Sequence, residues 1–165
     1  MSLTSQSQQP GVSGQTGVSG PHTGLIDPRG PRFGAALTTL VLAVALLAAP
    51  STLTVVLLGV LTVLFAAGAL WGVARTPYSW LFRTLLRPRL GAPTELEDAA
   101  PPRFAQAVGL GFALVALAGY LVGAPLLGAV ATGAALAAAF LNAAFGLCLG
   151  CEVYLLVKRT QHPTN

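Results

Sequence analysis

Phe33–Ala49, FGAALTTLVLAVALLAA, runs into Pro50-Ser51 and then into Thr52–Val73, TLTVVLLGVLTVLFAAGALWGV. Neither run carries a charge. Each approaches or exceeds the roughly 18–20 apolar residues that cross a bilayer as a helix. Pro50 cannot continue the first helix into the second, so the pair reads as a transmembrane hairpin. A transmembrane β-barrel is not expected, because its strands would alternate apolar and polar residues.

The same pattern returns downstream. Phe104–Val122 is apolar, Gly123-Ala124-Pro125 makes a turn, and a second apolar run starts near Leu126. The predicted fold is all-α, a polytopic membrane protein with four transmembrane helices as two tandem hairpins. The spans fall at about 33–49, 52–73, 104–122 and 126–148. Composition agrees: of 165 residues 54% are hydrophobic, mean hydropathy is +0.72, and only 8% are charged, against about 25% in soluble domains. One membrane domain over residues 25–159 accounts for this. Met1–Gly24, rich in Ser, Gln, Gly, Thr and Pro and without Lys or Arg, is expected to be a disordered tail. It lacks the charged start and apolar core of a secretory signal. Residues 160–165 form a second tail. His22 and His162 lie in these tails without convergent partners and are read as solvated, not as metal ligands.

Charge fixes the expected orientation. Arg29 and Arg32 precede the first span, and Arg75, Arg83, Arg87, Arg89 and Arg103 lie between the second and third. Lys158 and Arg159 follow the fourth, and the two short turns are uncharged. By the positive-inside rule both termini and the loop 74–103 are cytoplasmic, in an inner membrane. The net charge of +4 then serves orientation and anionic headgroups; no nucleic acid is expected as a partner. Within the loop, Tyr78–Arg87 is predicted as a short helix ended by Pro88. Trp80 and the arginines 75, 83, 87 and 89 suit the headgroup boundary. Glu95, Glu97 and Asp98 read as a solvated acidic patch that balances the arginines.

Two halves of the chain resemble each other. Pro31-Arg32-Phe33 opens the first span and Pro102-Arg103-Phe104 the third. Each is followed by a helix, an Ala-Pro turn and a second helix ending in an aromatic-glycine pair, Trp71-Gly72 or Phe145-Gly146. Copies running in the same direction imply an axis along the membrane normal. Gly68-x-x-x-Gly72, Gly119-x-x-x-Gly123 and Gly146-x-x-x-Gly150 would let neighbouring helices approach, within the bundle or in a homo-oligomer.

The only cysteines of the chain are Cys148 and Cys151, at the end of the last apolar stretch. Two thiols at this spacing form a disulfide, bind a soft metal or pass sulfur between them. A structural zinc site needs four ligands, and one pair supplies two. A permanent structural disulfide does not suit a reducing cytosolic side. The apolar stretch from Leu126 to Val157 is too long for a bilayer of about 30 Å, so the chain is expected to tilt or bend near Gly146–Gly150. If the helix ran straight, the thiols would sit at its negative end beside Glu152 and be inert. If it broke at Gly146 and restarted, Cys148 would sit at a helix N-terminus, the usual place of a reactive C-x-x-C. Glu152 is then a candidate proton acceptor, with pairing to Lys158 or Arg159 as its plainer role. Asn142, inside the span, makes an interhelical hydrogen bond or lines a path to the cysteines.

Asp27-Pro28-Arg29, Pro102-Arg103-Phe104 and above all Phe145-Gly146-Leu147-Cys148-Leu149-Gly150-Cys151-Glu152-Val153-Tyr154 resemble the bacterial family called domain of unknown function 4395. The resemblance covers roughly Leu25 to Lys158. It implies an integral membrane protein with no assigned activity, whose relatives are often associated with thioredoxin-like or sulfurtransferase proteins.

The expected function is thiol–disulfide exchange or sulfur relay at the cytoplasmic face, through Cys148, Cys151 and Glu152. A cytosolic thioredoxin-like or sulfurtransferase protein would be the partner. The alternatives are a transporter or channel for a small sulfur species, and a non-catalytic scaffold. No phosphate loop, nucleotide motif or Ser-His-Asp set is present, and no cofactor is expected. A quinone-linked disulfide enzyme would usually need a second cysteine pair.

Overall fold

The computed structural model describes residues 24–91 and 96–161. The tail through residue 23 with His22, the loop residue Glu95, and His162 lie outside the described residues. The chain opens with a two-residue strand, β1 (Leu25–Ile26), followed by helix α1 (Arg29–Leu47) and helix α2 (Thr52–Trp71). A 3-10 turn at Val73–Arg75 leads into α3 (Pro77–Leu81), a turn of π geometry at Phe82–Leu86, and α4 (Arg87–Leu90). A second short strand, β2 (Glu97–Asp98), precedes α5 (Ala100–Leu121), α6 (Pro125–Phe145) and α7 (Leu149–Gln161).

Helices α1, α2, α5 and α6 are long and apolar enough to cross a membrane. Helices α1, α5 and α6 begin ahead of their apolar runs, because Pro31, Pro101, Pro102 and Pro125 fall in first turns, where a missing N–H leaves no bond unmade. Ser51 starts α2 by accepting the Thr54 N–H on its Oγ at 3.4 Å. Thr54 in turn donates its hydroxyl to the Ala45 carbonyl at 2.9 Å, locking α2 to the end of α1.

The four long helices close into a ring in which α2 packs on α5 and α1 packs on α6. Leu42, Leu58, Leu61, Ala116, Ala131 and Ala135 form the buried core, one or two from each helix. Small residues set the closeness of the second hairpin: a Cβ on Gly119 would lie 2.6 Å from the Gly128 nitrogen. Only 17–22% of each span is buried. The rest presents Leu40, Val56, Val63, Val115, Val130 and similar side chains outward. A contiguous apolar surface of this extent needs lipid, not water, and marks an integral membrane protein.

The two halves are related more closely than the sequence indicates. Ile26 of β1 pairs antiparallel with Glu97 of β2, and these residues stand 71 positions apart, the same offset as Arg32 and Arg103. Equivalent residues that face each other mark a two-fold axis. The same offset relates Asp27 and Asp98, whose carboxylates each accept a backbone N–H two residues on, from Arg29 at 3.0 Å and from Ala100 at 2.9 Å. Each hairpin then continues into an amphipathic foot that packs back on its first helix. In the first half this foot is α3 with the following turn, on α1; in the second it is α7, on α5.

Two sequence expectations are corrected. The Gly-x-x-x-Gly pairs are not stripes on helix faces. Gly72, Gly123 and Gly146 lie outside the helices with positive φ of 88°, 77° and 71°. Their partners Gly68, Gly119 and Gly150 alone are packing glycines. Pro88 does not end the loop helix, which runs on to Leu90 before Gly91. The π turn before it is the reason. There the Arg87 N–H reaches back to the Phe82 carbonyl, which loosens the turn that a proline ring would otherwise strike.

Candidate dithiol site

At the end of α6 the chain breaks. Gly146 takes a left-handed conformation, φ 71° and ψ 12°, which a residue without Cβ adopts freely. Its N–H donates to the Asn142 carbonyl at 3.0 Å, and the Leu147 N–H donates to Leu141 at 3.3 Å. Helix α7 then restarts at Leu149. Of the two arrangements expected from the sequence, the broken one is observed, and it places Cys148 immediately before a new helix.

Cys148 acts as the N-cap of α7. Its carbonyl accepts the Glu152 N–H at 3.0 Å, and its Sγ accepts the Cys151 N–H at 3.4 Å, the bonding pattern of an N-cap side chain. The Cys148 and Cys151 sulfurs are bonded to each other, with Cα atoms 5.2 Å apart, within the ordinary disulfide range. Both cysteines are half-exposed.

The foot is held by contacts below the cysteines. A Cβ on Gly150 would lie 2.7 Å from the Ala105 Cα. One turn on, Tyr154 packs on Phe104 with ring centroids 5.7 Å apart. Lys158 places its ammonium over the Tyr154 ring, 5.3 Å from the centroid. Helix α7 therefore packs against the start of α5. Glu152 is exposed in the first turn of α7, and Lys158 and Arg159 lie in its last, the distribution a helix dipole favours.

The first half has the same frame with different chemistry. Thr76 is the N-cap of α3. The offset from Thr76 to Cys148 is 72, as it is from Ser79 to Cys151 and from Phe82 to Tyr154. Trp80 N–H donates to the Thr76 carbonyl at 3.1 Å, as Glu152 does to Cys148. Phe82 packs on Phe33 at 6.0 Å, the counterpart of Tyr154 on Phe104. Where the second half has two sulfurs, the first has two hydroxyls. Thr76 donates to Ser79 Oγ at 3.1 Å, and both oxygens lie 2.6 Å from the Val73 carbonyl. Thr76 and Ser79 are 1% and 8% exposed; the cysteines are not sealed in this way. Beside them Tyr78 donates its hydroxyl to Gln106 Oε1 at 2.8 Å. Burial pushes the Tyr78 phenol above its ordinary value, against the opposing effect of its hydrogen-bond partners.

Two arginines link the halves. Arg103, at the start of α5, donates from Nε to the Ala69 carbonyl at 2.7 Å and from Nη2 to Leu70 at 3.0 Å. It thus closes the end of α2. Its equivalent, Arg32 of α1, reaches the end of α6, where a Cβ on Gly146 would lie 3.5 Å from the Arg32 Cζ. In the sequence Arg32 stands as an orientation charge and as part of the first Pro-Arg-Phe copy. The Pro-Arg-Phe repeat was the signal that it belongs beside the cysteine turn.

The remaining candidates fall in three places. Asn142 is half-buried in the last turn of α6, where its main-chain carbonyl closes the helix. Arg75, Trp80, Arg83, Arg87 and Arg89 are exposed on and beside the foot of the first half, Arg75 in the turn before α3 and Arg87 and Arg89 in α4. Glu97 and Asp98 belong to the strand pair and the start of α5, and the carboxylate of Asp98 is engaged by a backbone N–H.

No curated protein and no solved structure matches the chain. The family model described as Domain of unknown function (DUF4395) matches residues 26–159, from β1 into the last turn of α7, and the chain belongs to that family.

Proposed function

We propose that the protein is a membrane-bound thiol–disulfide exchange site, with Cys148 as nucleophile and Cys151 as resolving cysteine. The observation that carries this reading is the replacement, at equivalent N-cap and third-residue positions, of the sealed pair Thr76 and Ser79 by the half-exposed pair Cys148 and Cys151. Thiols in their place replace a buried hydroxyl pair bonded to the Val73 carbonyl with a pair capable of redox chemistry.

In the reduced protein a Cys148 thiolate is favoured by the α7 N-terminus and by the Cys151 N–H. It attacks one sulfur of a partner disulfide, forming a mixed disulfide and expelling the partner's other thiolate. Cys151, losing its proton to Glu152 or to water, attacks the Cys148 sulfur and releases the second partner thiolate. Two electrons pass to the partner, and the bonded pair is the product. In a sulfur relay the same thiolate takes the terminal sulfur of a persulfide donor; attack by Cys151 then releases hydrosulfide and leaves the same disulfide. Asn142, one turn before the bend, would line the approach.

The charge pattern supports an inner-membrane location with both termini and both feet on the cytoplasmic side. Contacts of Arg32 with Gly146 and of Arg103 with Ala69 and Leu70 agree, since they gather the basic residues at one end of the bundle. A thioredoxin-like or sulfurtransferase protein in the cytosol is the proposed counterpart, and Trp80 with the arginines of the first foot would sit at the headgroups. The test is labelling of oriented vesicles with a charged maleimide after mild reduction. Rapid labelling from the cytoplasmic side supports the reading. Labelling only after detergent unfolding would sink it.

A further inference from the structure

We propose that Arg32, contributed by the other half of the molecule, is a positioning residue that stabilises the Cys148 thiolate. This inference rests on the exchange reading above and adds a residue from α1 to it.

Arg32 and Arg103 are repeat equivalents, each reaching from the start of one helix to the end of another. Arg103 spends its guanidinium on two carbonyls of α2, at 2.7 and 3.0 Å. At the end of α6 the backbone has turned through Gly146, and the N–H groups of Gly146 and Leu147 already reach the Asn142 and Leu141 carbonyls. The hydrogen bonds that arginine side chains donate among the described residues come from Arg29 and Arg103. Arg32 is thus held over Gly146, two residues from Cys148, without being committed to a carbonyl of α6. A guanidinium is permanently charged and has five donors in a planar fork. Placed at this turn, it offers an anion the charge that its counterpart spends on structure.

The other charges around the pair make a cation useful. Glu152, on α7 itself, raises the cost of a thiolate four positions from Cys148. From α5, which packs against α7, Arg103 is engaged with α2. Lys158 is drawn to the Tyr154 ring. Arg159 lies in the last turn of α7, at the far end from Glu152, which leaves Arg32 as the cation at the turn. The oxidised pair carries no charge, so the interaction acts on the reduced state alone. It lowers the thiol pKa and stabilises the dithiol against the disulfide.

The experiment is the pH dependence of Cys148 alkylation in the full-length reduced protein in detergent, using iodoacetamide and a Cys151→Ser background. Arg32→Gln should move the alkylation midpoint up by about one unit, a roughly tenfold loss of thiolate near neutrality. Arg32→Lys should recover most of the shift. Arg83→Gln, which removes the same charge from the other foot, should leave the midpoint in place. An unmoved midpoint in folded Arg32→Gln overturns the proposal. If that variant does not fold, the unmodified Arg32 protein decides. Salt that screens Arg32 should raise the midpoint, whereas a flat or falling response, the sign set by Glu152, overturns it. A midpoint at the free-thiol value of about 8.5 in the parent would instead remove the exchange reading itself.

Discussion

Gly150 of α7 and Ala105 of α5 meet with no room for a side chain between them: a Cβ on Gly150 would stand 2.7 Å from the Ala105 Cα and Cβ. This contact sets the height at which the dithiol turn sits on the bundle. Because the obstacle is backbone, a neighbouring rotamer cannot relieve it.

Gly150→Ala should therefore push α7 off α5. The expected cost is about 1–3 kcal/mol, the usual range for overpacking, seen as a lower Tm in detergent. Gly111→Ala is the matching control, since nothing lies within 4 Å of a Cβ there. That change should be neutral or stabilising, by up to about 1 kcal/mol, through helix propensity.

The second half can be rewritten as the first. In Cys148→Thr/Cys151→Ser the new hydroxyls take the positions that Thr76 and Ser79 hold at the start of α3. The variant should fold with a Tm close to that of the reduced parent, because a hydroxyl is near a thiol in size and accepts hydrogen bonds as the sulfur does. All thiol reactivity should vanish. A loss of Tm by several degrees would mean that the sulfurs serve packing.

Arg103→Gln removes two charge-assisted hydrogen bonds that close α2. Bonds of this kind contribute about 1.5–3 kcal/mol, and the lower end applies to a half-exposed side chain. Arg32→Gln, whose guanidinium closes no helix, should cost less. Thermal unfolding of the two variants side by side checks the difference.

Tyr78 makes stability sensitive to alkali. Its folded pKa is raised above 10.0, first by burial. The neutral phenol is therefore favoured by folding. Its contribution is complete below pH 10 and is lost as pH rises from there through the folded pKa. Tyr78→Phe should flatten the alkaline decline. It should also lower stability at neutral pH by about 1 kcal/mol, because Gln106 loses its donor. A Tm series from pH 8 to pH 11.5 reads both effects.

The four spans were legible because charge-free apolar runs of bilayer length admit few other structures. The Pro-Arg-Phe repeat was legible because both copies kept the same residues. The correspondence of Thr76 and Ser79 with Cys148 and Cys151 was not. The copies have different side chains there, and the connector after Gly72 is two residues longer than the one after Gly146, which shifts the alignment. Only the shared backbone bonding shows the match, from Trp80 N–H to the Thr76 carbonyl and from Glu152 N–H to the Cys148 carbonyl. The break at Gly146 was one of two readings, since a glycine beside an apolar run permits both a straight helix and a bend. The strand pair was hidden because two residues carry no periodicity. Pro88 misled because a widened turn upstream neutralises the rule that proline stops a helix.

The pairing of Ile26 with Glu97 has a consequence for how the bundle can be assembled. A strand that meets its own duplicate across an axis is the contact two separate copies of one subunit would make. A chain carrying a single hairpin and foot could rebuild this bundle as a dimer with two identical feet. Joining two such copies in one chain frees the feet from identity: one can stay closed on hydroxyls and anchor the frame while the other is opened to sulfur.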